Sequence, residues 1–153
     1  MRALELKIPP PVVALFVAAA MWGISLATPS VEVPAVTRVA AAIAIAMAGV
    51  GIAIAGSLSF RRARTSSNPL KPGSTTSLVT FGVYRFTRNP MYLGIVLVLL
   101  GWAVFLSSAF ALLGPLVFGL YMRHFQIVPE EQVLARIFGT AYAEYQAKVR
   151  RWL

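Results

Sequence analysis

The chain has 153 residues, of which 58% are hydrophobic and only 12% are charged, and its mean hydropathy is +0.74. This composition excludes an ordinary soluble domain and predicts an all-α integral membrane protein. The net charge of +9 would suit binding to nucleic acid, but the sequence contains no nucleic-acid recognition motif. In a chain this apolar, the basic residues are better explained as setting the membrane topology and contacting anionic lipids. No nucleic acid partner is therefore expected.

The first two apolar segments, residues 10–27 and 39–60, are each long enough to cross a bilayer as a helix, which takes about 17–25 residues. Small residues near the end of the first would also suit a cleavable signal peptide, and we expect the segment to be retained as a span. The second is rich in alanine and glycine, which let helix backbones approach closely in lipid. We therefore expect it to lie in the middle of a helix bundle.

A third apolar stretch, residues 89–122, contains no charged side chain. As one helix it would be about 50 Å long, whereas the hydrocarbon core is roughly 30 Å thick. It must therefore fold back, and Ser107-Ser108 is the predicted turn between a third span at residues 90–107 and a fourth at residues 109–127. Gly114-Pro115 is expected to kink the fourth span. The predicted fold has four transmembrane helices.

Lysine and arginine are concentrated before the first span, between the second and third, and after the fourth. The positive-inside tendency then places both termini and the middle loop in the cytoplasm, and we expect the membrane to be a bacterial inner membrane. The polar residues lie mainly in two cytoplasmic segments, 61–89 and 128–153. Together with the four spans they make one membrane-embedded domain.

The segment after the fourth span predicts an amphipathic helix with apolar residues at helical spacing. Pro129 suits its first position, and Glu130 and Glu131 fall in a first turn, where negative charge favours the helix dipole. Two adjacent carboxylates at a membrane surface would equally suit an ammonium group, so both interpretations stay open. Gly139 indicates a break or a close contact.

The stretch YRFTRNPMYLG, residues 84–94, places polar residues directly before an apolar helix. Asn89 suits the N-cap and Pro90 the first helical position. The same helix start presents free backbone N–H groups, which suit a carboxylate or a phosphate, and both interpretations can hold together. Without cysteine, and with His124 as the one histidine, the sequence predicts neither disulfides nor a metal site.

This stretch and the later PEEQVLARIFGTAYAEYQAKV together resemble the isoprenylcysteine carboxyl methyltransferase and phospholipid methyltransferase superfamily. The pattern of that superfamily is approximately L-V-x-x-G-x-Y-x-x-x-R-H-P-x-Y-x-G, a helical hairpin, and E-E-x-x-L-x-x-x-F-G-x-x-Y-x-x-Y. The resemblance covers residues 78–149. Two blocks separated by a hairpin are far more specific than either block alone.

The resemblance implies a membrane-embedded methyltransferase that uses S-adenosyl-L-methionine without a Rossmann domain and releases S-adenosyl-L-homocysteine. It also implies a cofactor site at the cytoplasmic face and a lipophilic substrate from the bilayer, foremost an isoprenylcysteine-like carboxylate and alternatively a phospholipid amine. A small apolar thiol or acid also stays open as the methyl acceptor. The cofactor-binding positions carried over by matching are Thr76, Ser77, Leu78, Val79, Tyr84, Asn89, Pro90, Met91, Tyr92 and Glu130.

Two positions depart from the pattern of the superfamily. Asn89 replaces a histidine, and Gln126 stands where the eukaryotic prenylcysteine enzymes have an arginine thought to hold the substrate carboxylate. Arg123, one helical turn earlier, is a candidate substitute, which makes Gln126 and Arg123 the expected substrate-side residues. His124 would serve as a proton acceptor only for an amine substrate.

Two other classes of function compete with methyl transfer. A proton-coupled exporter would need an ionisable group within the membrane, and the predicted spans carry none apart from their ends, which argues against it. A non-enzymatic or degenerate membrane subunit is suggested by the departures at Asn89 and Gln126. A change at Glu130 separates that interpretation from an enzyme.

Overall fold

The computed structural model describes residues 8–65 and 75–153. In these ranges it contains five α-helices and no strand: α1 (Pro10–Ala27), α2 (Ala35–Arg62), α3 (Pro90–Leu106), α4 (Leu113–Met122) and α5 (Val128–Lys148). The connections include 3-10 turns at Gly82–Arg85 and Ala109–Leu112 and a π-helical segment at Arg123–Ile127. The predicted all-helical class is therefore confirmed for the described part of the chain.

Three helical runs in the described residues are long and apolar enough to cross a membrane: α1, α2 and the continuous run Ala109–Lys148. The fourth apolar helix, α3, has 17 residues and is shorter than the other three. Large apolar side chains such as Phe16, Met47 and Leu116 are exposed on the outer faces. These faces suit contact with lipid chains, since a membrane has no water from which apolar surface must be hidden.

The centre of the bundle is α3, which contacts α1, α2 and α4. The prediction that α2 lies in the middle is wrong. Small residues bring α2 very close to α3, and a Cβ added at Gly49 would lie 2.5 Å from the backbone oxygen of Gly94. The opposite face of α2 carries exposed residues such as Ile43 and Ile54. Small residues thus permit close approach to one neighbour without requiring burial on all sides.

The turn predicted at Ser107-Ser108 is confirmed, because α3 ends at Leu106 and Ser107 adopts the left-handed conformation with φ 53°. This turn is tied to the connection between α1 and α2. Val31 N–H donates to the Ser107 backbone oxygen at 2.6 Å, and the Ser107 hydroxyl donates to the Val31 backbone oxygen at 2.6 Å. A third hydrogen bond of 2.8 Å joins the hydroxyls of Thr28 and Ser108. The two turns therefore form one connected end of the bundle.

The helix predicted to begin at Pro129 begins at Val128, with Glu130 and Glu131 in its first turn, but the π-helical segment joins this start to α4. Glu130 and Glu131 consequently do not lie at a free helix N-terminus. Gly114-Pro115, where a kink is expected, fall in the first turn of α4, where proline is tolerated. Gly114 leaves room there for the buried Met21 side chain, which lies directly against it.

Part of the expected cytoplasmic region lies outside the described residues, namely the residues before Ile8 and residues 66–74. From Thr75 the chain is without regular secondary structure until the 3-10 turn at Gly82–Arg85. Thr65 holds the beginning of this stretch: its hydroxyl accepts hydrogen bonds from the backbone N–H groups of Thr76 and Ser77, at 2.8 and 3.3 Å.

Candidate functional site

A cavity of about 570 Å³ lies where the start of α1, the end of α2, the start of α3 and the beginning of α5 meet. Its volume falls in the usual range for a small-molecule site, about 300–1,000 Å³. The described residues that line it are Pro10, Pro11, Phe60, Thr75, Ser77, Leu78, Val79, Tyr84, Arg88, Asn89, Met91, Tyr92, Ile95, Glu130, Glu131, Leu134, Tyr142 and Tyr145.

The two adjacent carboxylates in the cavity wall have different partners. Glu130 accepts a 2.8 Å hydrogen bond from the Tyr92 hydroxyl. Glu131 is held by two arginines, with both of its oxygens engaged. Among the described residues, no cation is paired with Glu130, whereas two arginines lie against Glu131. Of the two acids, Glu130 is therefore the one able to receive a positive group of a ligand.

Arg151 holds Glu131 with a two-pronged contact, in which Nε donates to Oε1 at 3.0 Å and Nη2 donates to Oε2 at 2.6 Å. On the other side, Nη1 of Arg88 lies 3.2 Å from Glu131 Oε1. That approach is an ion pair without hydrogen-bond geometry, and Arg88 Nε also has no hydrogen-bond partner although both nitrogens are buried. Buried guanidinium nitrogens of this kind normally have acceptors. They are unpartnered donors in a side chain that lines the cavity and also contacts Tyr142.

Aromatic side chains form a second part of the wall. The phenol of Tyr145 donates a 2.7 Å hydrogen bond to the backbone oxygen of Tyr84, and the Tyr84 ring stands edge-on to Phe60 with centroids 5.3 Å apart. Burial raises the pKa of the Tyr84 phenol above its ordinary value, and the nearby Tyr145 and Glu130 raise it further. Tyr84 therefore stays a neutral hydrogen-bonding group near pH 7.

Tyr142 and Tyr145 reach the cavity because α5 changes direction within its length. Gly139 has φ 52° and ψ −123°, a conformation that only glycine adopts readily. A Cβ at this position would meet no atom within 4 Å, so close packing is not the reason for the glycine. Of the two alternatives the sequence left open at Gly139, the break is the one present.

Asn89 directly precedes α3, but its side chain does not cap the helix. Its Nδ2 instead donates a 2.9 Å hydrogen bond to the backbone oxygen of Arg151. The predicted N-cap position is confirmed, but the capping hydrogen bond from the side chain is absent. The amide is used to hold the chain that follows α5.

Among the predicted cofactor-binding residues, the cavity wall contains Ser77, Leu78, Val79, Tyr84, Asn89, Met91, Tyr92 and Glu130. Thr76 and Pro90 do not line it, although both lie between lining residues. The expected substrate-side residues are also outside the wall. Arg123 is exposed, and Gln126 is buried and in contact with Tyr92.

Several wall residues were missing from the sequence-based set, among them Arg88, Glu131, Tyr142 and Tyr145. The signal for all four was present, since Arg88 matches the arginine of the R-H-P element, Glu131 belongs to the acidic pair and the two tyrosines form the Y-x-x-Y end of the quoted pattern. Arg151 lies beyond the pattern, so nothing in the motif pointed to it. In the described residues, no group of three or more histidine, aspartate or glutamate side chains is arranged to hold a metal ion.

The donor set fits the methyl donor that the sequence resemblance implies. A carboxylate without a cationic partner suits the ammonium of S-adenosylmethionine, and the unpartnered nitrogens of Arg88 suit its carboxylate. Aromatic faces suit its adenine and its sulfonium.

Comparison with known proteins supplies independent findings. The family model for phospholipid methyltransferase matches residues 37–141, more than half of the chain. An uncharacterized protein of Haemophilus influenzae is 46% identical over 63 residues, which cover 41% of this chain and all of that protein. The protein-S-isoprenylcysteine O-methyltransferase of Schizosaccharomyces pombe is 35% identical over 75 residues, which cover 47% of this chain but only 30% of that enzyme. No solved structure gives a significant match.

Proposed function

Since the chain belongs to the phospholipid methyltransferase family, we propose that it is a membrane-embedded enzyme that transfers a methyl group from S-adenosylmethionine to a lipophilic acceptor. The observation that carries the proposal is the convergence, in one cavity, of the two sequence blocks that resemble methyltransferases. Tyr84, Asn89 and Tyr92 from the first block and Glu130 from the second line the same space.

The residues of this chain bind and orient the methyl donor. Glu130 holds the ammonium of the methyl donor, positioned by the hydroxyl of Tyr92, and Arg88 offers two buried nitrogens to the carboxylate. The walls formed by Tyr84, Tyr142 and Tyr145 exclude water and pack against the adenosine. S-adenosylmethionine supplies an activated methyl group on a sulfonium. Its in-line transfer needs alignment and a dry site more than a strong base, so a wall without a catalytic triad is sufficient.

The acceptor proposed from sequence is a carboxylate of the isoprenylcysteine type, and a phospholipid amine is the alternative. The amine is favoured by one observation: Arg123 and Gln126, expected to hold a carboxylate, do not line the cavity. In the described wall Arg88 is the one basic side chain, and the methyl donor would occupy it. A panel of prenylcysteine and aminophospholipid acceptors, assayed with radiolabelled methyl donor, distinguishes the two classes.

The membrane placement extends this proposal. We infer a four-span topology in which α1, α2, α3 and the run that begins at Ala109 each cross the bilayer, with the cavity at the cytoplasmic face. The start of α1, the end of α2 and the start of α3 all lie at the cavity, as expected for helices that cross the bilayer in alternating directions. Basic residues close to these ends in the chain, such as Arg61, Arg62 and Arg85, support a cytoplasmic cavity.

Binding of S-adenosylhomocysteine to the full chain in detergent, measured by isothermal titration calorimetry, tests the function directly. We expect the wild-type protein to bind and Glu130→Gln to weaken binding about tenfold or more, because a charge-assisted contact is lost. Glu144→Gln, an exposed carboxylate on the same helix, is the matched control and should change the affinity less than about twofold.

Absence of binding by folded wild-type protein at millimolar ligand would overturn the enzymatic interpretation. Unchanged affinity in a well-folded Glu130→Gln protein would instead support a non-enzymatic membrane subunit. Circular dichroism on each variant establishes that the helical content is retained.

A further inference from the structure

The chain that follows α5, here called the 150–152 segment, is fixed to the residues just before α3. Arg88 N–H donates to the backbone oxygen of Arg150 at 3.0 Å. The backbone oxygen of Arg151 accepts two further hydrogen bonds, from the Asn89 amide at 2.9 Å and from the Thr87 hydroxyl at 3.2 Å. Trp152 packs against the hydrophobic core. The segment is thus held by backbone and side-chain contacts together.

The side chain of Arg151 reaches back from this segment to Glu131 on α5. Its two hydrogen bonds use both carboxylate oxygens, which is the strongest arrangement available to an arginine and a carboxylate. Hydrogen bonding to Glu131 also raises the pKa of Arg151, consistent with a persistent pair. Arg151 itself is not part of the described cavity wall. Any effect it has on a ligand must therefore pass through Glu131, Arg88 or Asn89.

Arg88 lines the cavity and shares Glu131 with Arg151 as an ion-pair partner. It competes with Arg151 for the same carboxylate, and it is the weaker competitor, with one approach of 3.2 Å that lacks hydrogen-bond geometry. If Arg151 were absent, Glu131 would be free to engage the guanidinium of Arg88 fully. The Arg88 nitrogens that now lack a partner would then donate hydrogen bonds to Glu131 and would no longer be free to bind a ligand.

We propose that Arg151 is a positioning residue that satisfies Glu131 and thereby keeps the guanidinium of Arg88 available for the carboxylate of the bound methyl donor. This inference rests on the proposed function and assigns a role to a position outside the motif blocks. It predicts that removing the Arg151 side chain lowers the affinity only for ligands that carry the amino-acid carboxylate.

The test compares two ligands in the full-length protein in detergent. S-adenosylhomocysteine carries the carboxylate, whereas 5′-methylthioadenosine has the same nucleoside without it. We expect Arg151→Ala to weaken S-adenosylhomocysteine binding about tenfold and to leave methylthioadenosine binding within about twofold. Arg150→Ala is the matched control, because it removes an adjacent exposed arginine side chain and keeps the backbone oxygen that Arg88 uses. It should change neither affinity.

A second variant keeps the test independent of general damage to the fold. In Arg151→Ala combined with Glu131→Gln, no strong acceptor is left to capture Arg88, so S-adenosylhomocysteine affinity should recover toward that of the wild type. A purely structural role for Arg151 would make the double variant as weak as, or weaker than, the single one, and would weaken both ligands alike.

The outcomes separate this inference from the proposed function. Wild-type protein that binds no S-adenosylhomocysteine overturns the proposed function and the role of Arg151 with it. Wild-type protein that binds, with an Arg151→Ala variant of equal affinity or with equal losses for both ligands, overturns the role of Arg151 alone.

Discussion

Glu130 and Glu131 are adjacent in the chain, and their environments give them separate roles. The sequence offered two interpretations for the pair, stabilisation of a helix start or neutralisation of an ammonium group. A free helix start is excluded because the π-helical segment joins α4 to the beginning of α5. Glu131 is engaged by Arg88 and Arg151, which leaves Glu130, bonded to Tyr92, facing the cavity.

At the residue scale, the sequence identified most of the wall because the motif blocks contain the residues that meet there. It could not identify Arg151 or the use of Asn89. Both depend on where the chain after α5 returns, and neither periodicity nor motif spacing encodes a contact between residues more than 60 positions apart. The local preference of an N-cap asparagine for a capping hydrogen bond was overridden by this tertiary hydrogen bond.

Gly139 supports a prediction at this scale. Gly139→Ala places a Cβ on a backbone with φ 52°, so we expect it to lower the free energy of unfolding by about 1–3 kcal/mol. Tyr142 and Tyr145, which follow the break, would lose their approach to the cavity if the helix straightened. Thermal unfolding followed by circular dichroism in detergent measures the first effect, and S-adenosylhomocysteine affinity the second.

Gly119→Ala is the control for this change. Gly119 lies in the regular helix α4, and an added Cβ meets nothing within 4 Å, so the substitution should be neutral or stabilise by about 0.5–1 kcal/mol. Equal stabilities of the two variants would contradict the assignment of a strained position to Gly139.

At the scale of elements, the pair α2 and α3 determines where the cavity forms. The start of α3 carries Asn89, Met91 and Tyr92, and α2 ends near Phe60, so the distance between the two helices fixes the width of the site. Composition alone predicted that α2 packs closely against a neighbour. It did not reveal which neighbour, because alanine and glycine are compatible with packing on any adjacent helix.

Gly49→Ala tests this packing. The added methyl group would lie 2.5 Å from the Gly94 backbone oxygen and 2.9 Å from the Cβ of Leu97, so the helices must separate. We expect a loss of about 1–3 kcal/mol in the free energy of unfolding, which a denaturation series in mixed detergent micelles measures. Gly51→Ala, two residues along the same helix, meets no atom within 4 Å and serves as the control. Indistinguishable variants would show that α2 and α3 are not in this close contact.

At the scale of the whole molecule, hydropathy was sufficient to predict helices that suit a membrane, since in lipid each helix must satisfy its own backbone. The length of the continuous run Ala109–Lys148 was not predicted. The proline and the two acidic residues at 129–131 have the features of a helix start. The π-helical segment that joins α4 to α5 just before them has no comparable sequence pattern.

The four-span topology can be tested because the sequence has no cysteine, so that a single introduced thiol reports its own side of the membrane. Glu32→Cys lies in the connection between α1 and α2, whereas Arg85→Cys and Arg136→Cys lie near the cavity end. We expect an impermeant maleimide to label Glu32→Cys from the side opposite to the other two. Labelling of all three from one side would exclude the proposed topology.

The hydrogen bonds that join Val31 with Ser107 and Thr28 with Ser108 have a mechanical consequence for access to the site. They hold the helix ends together at the end of the bundle that is remote from the cavity. The hydrogen bonds described for the cavity end join α3 and α5, so we expect the separation of α1 from α3 to vary most there, beside Pro10, Pro11 and Met91. A small change in the angle between these helices would widen the cavity and leave the hydrogen bonds at the remote turns unchanged.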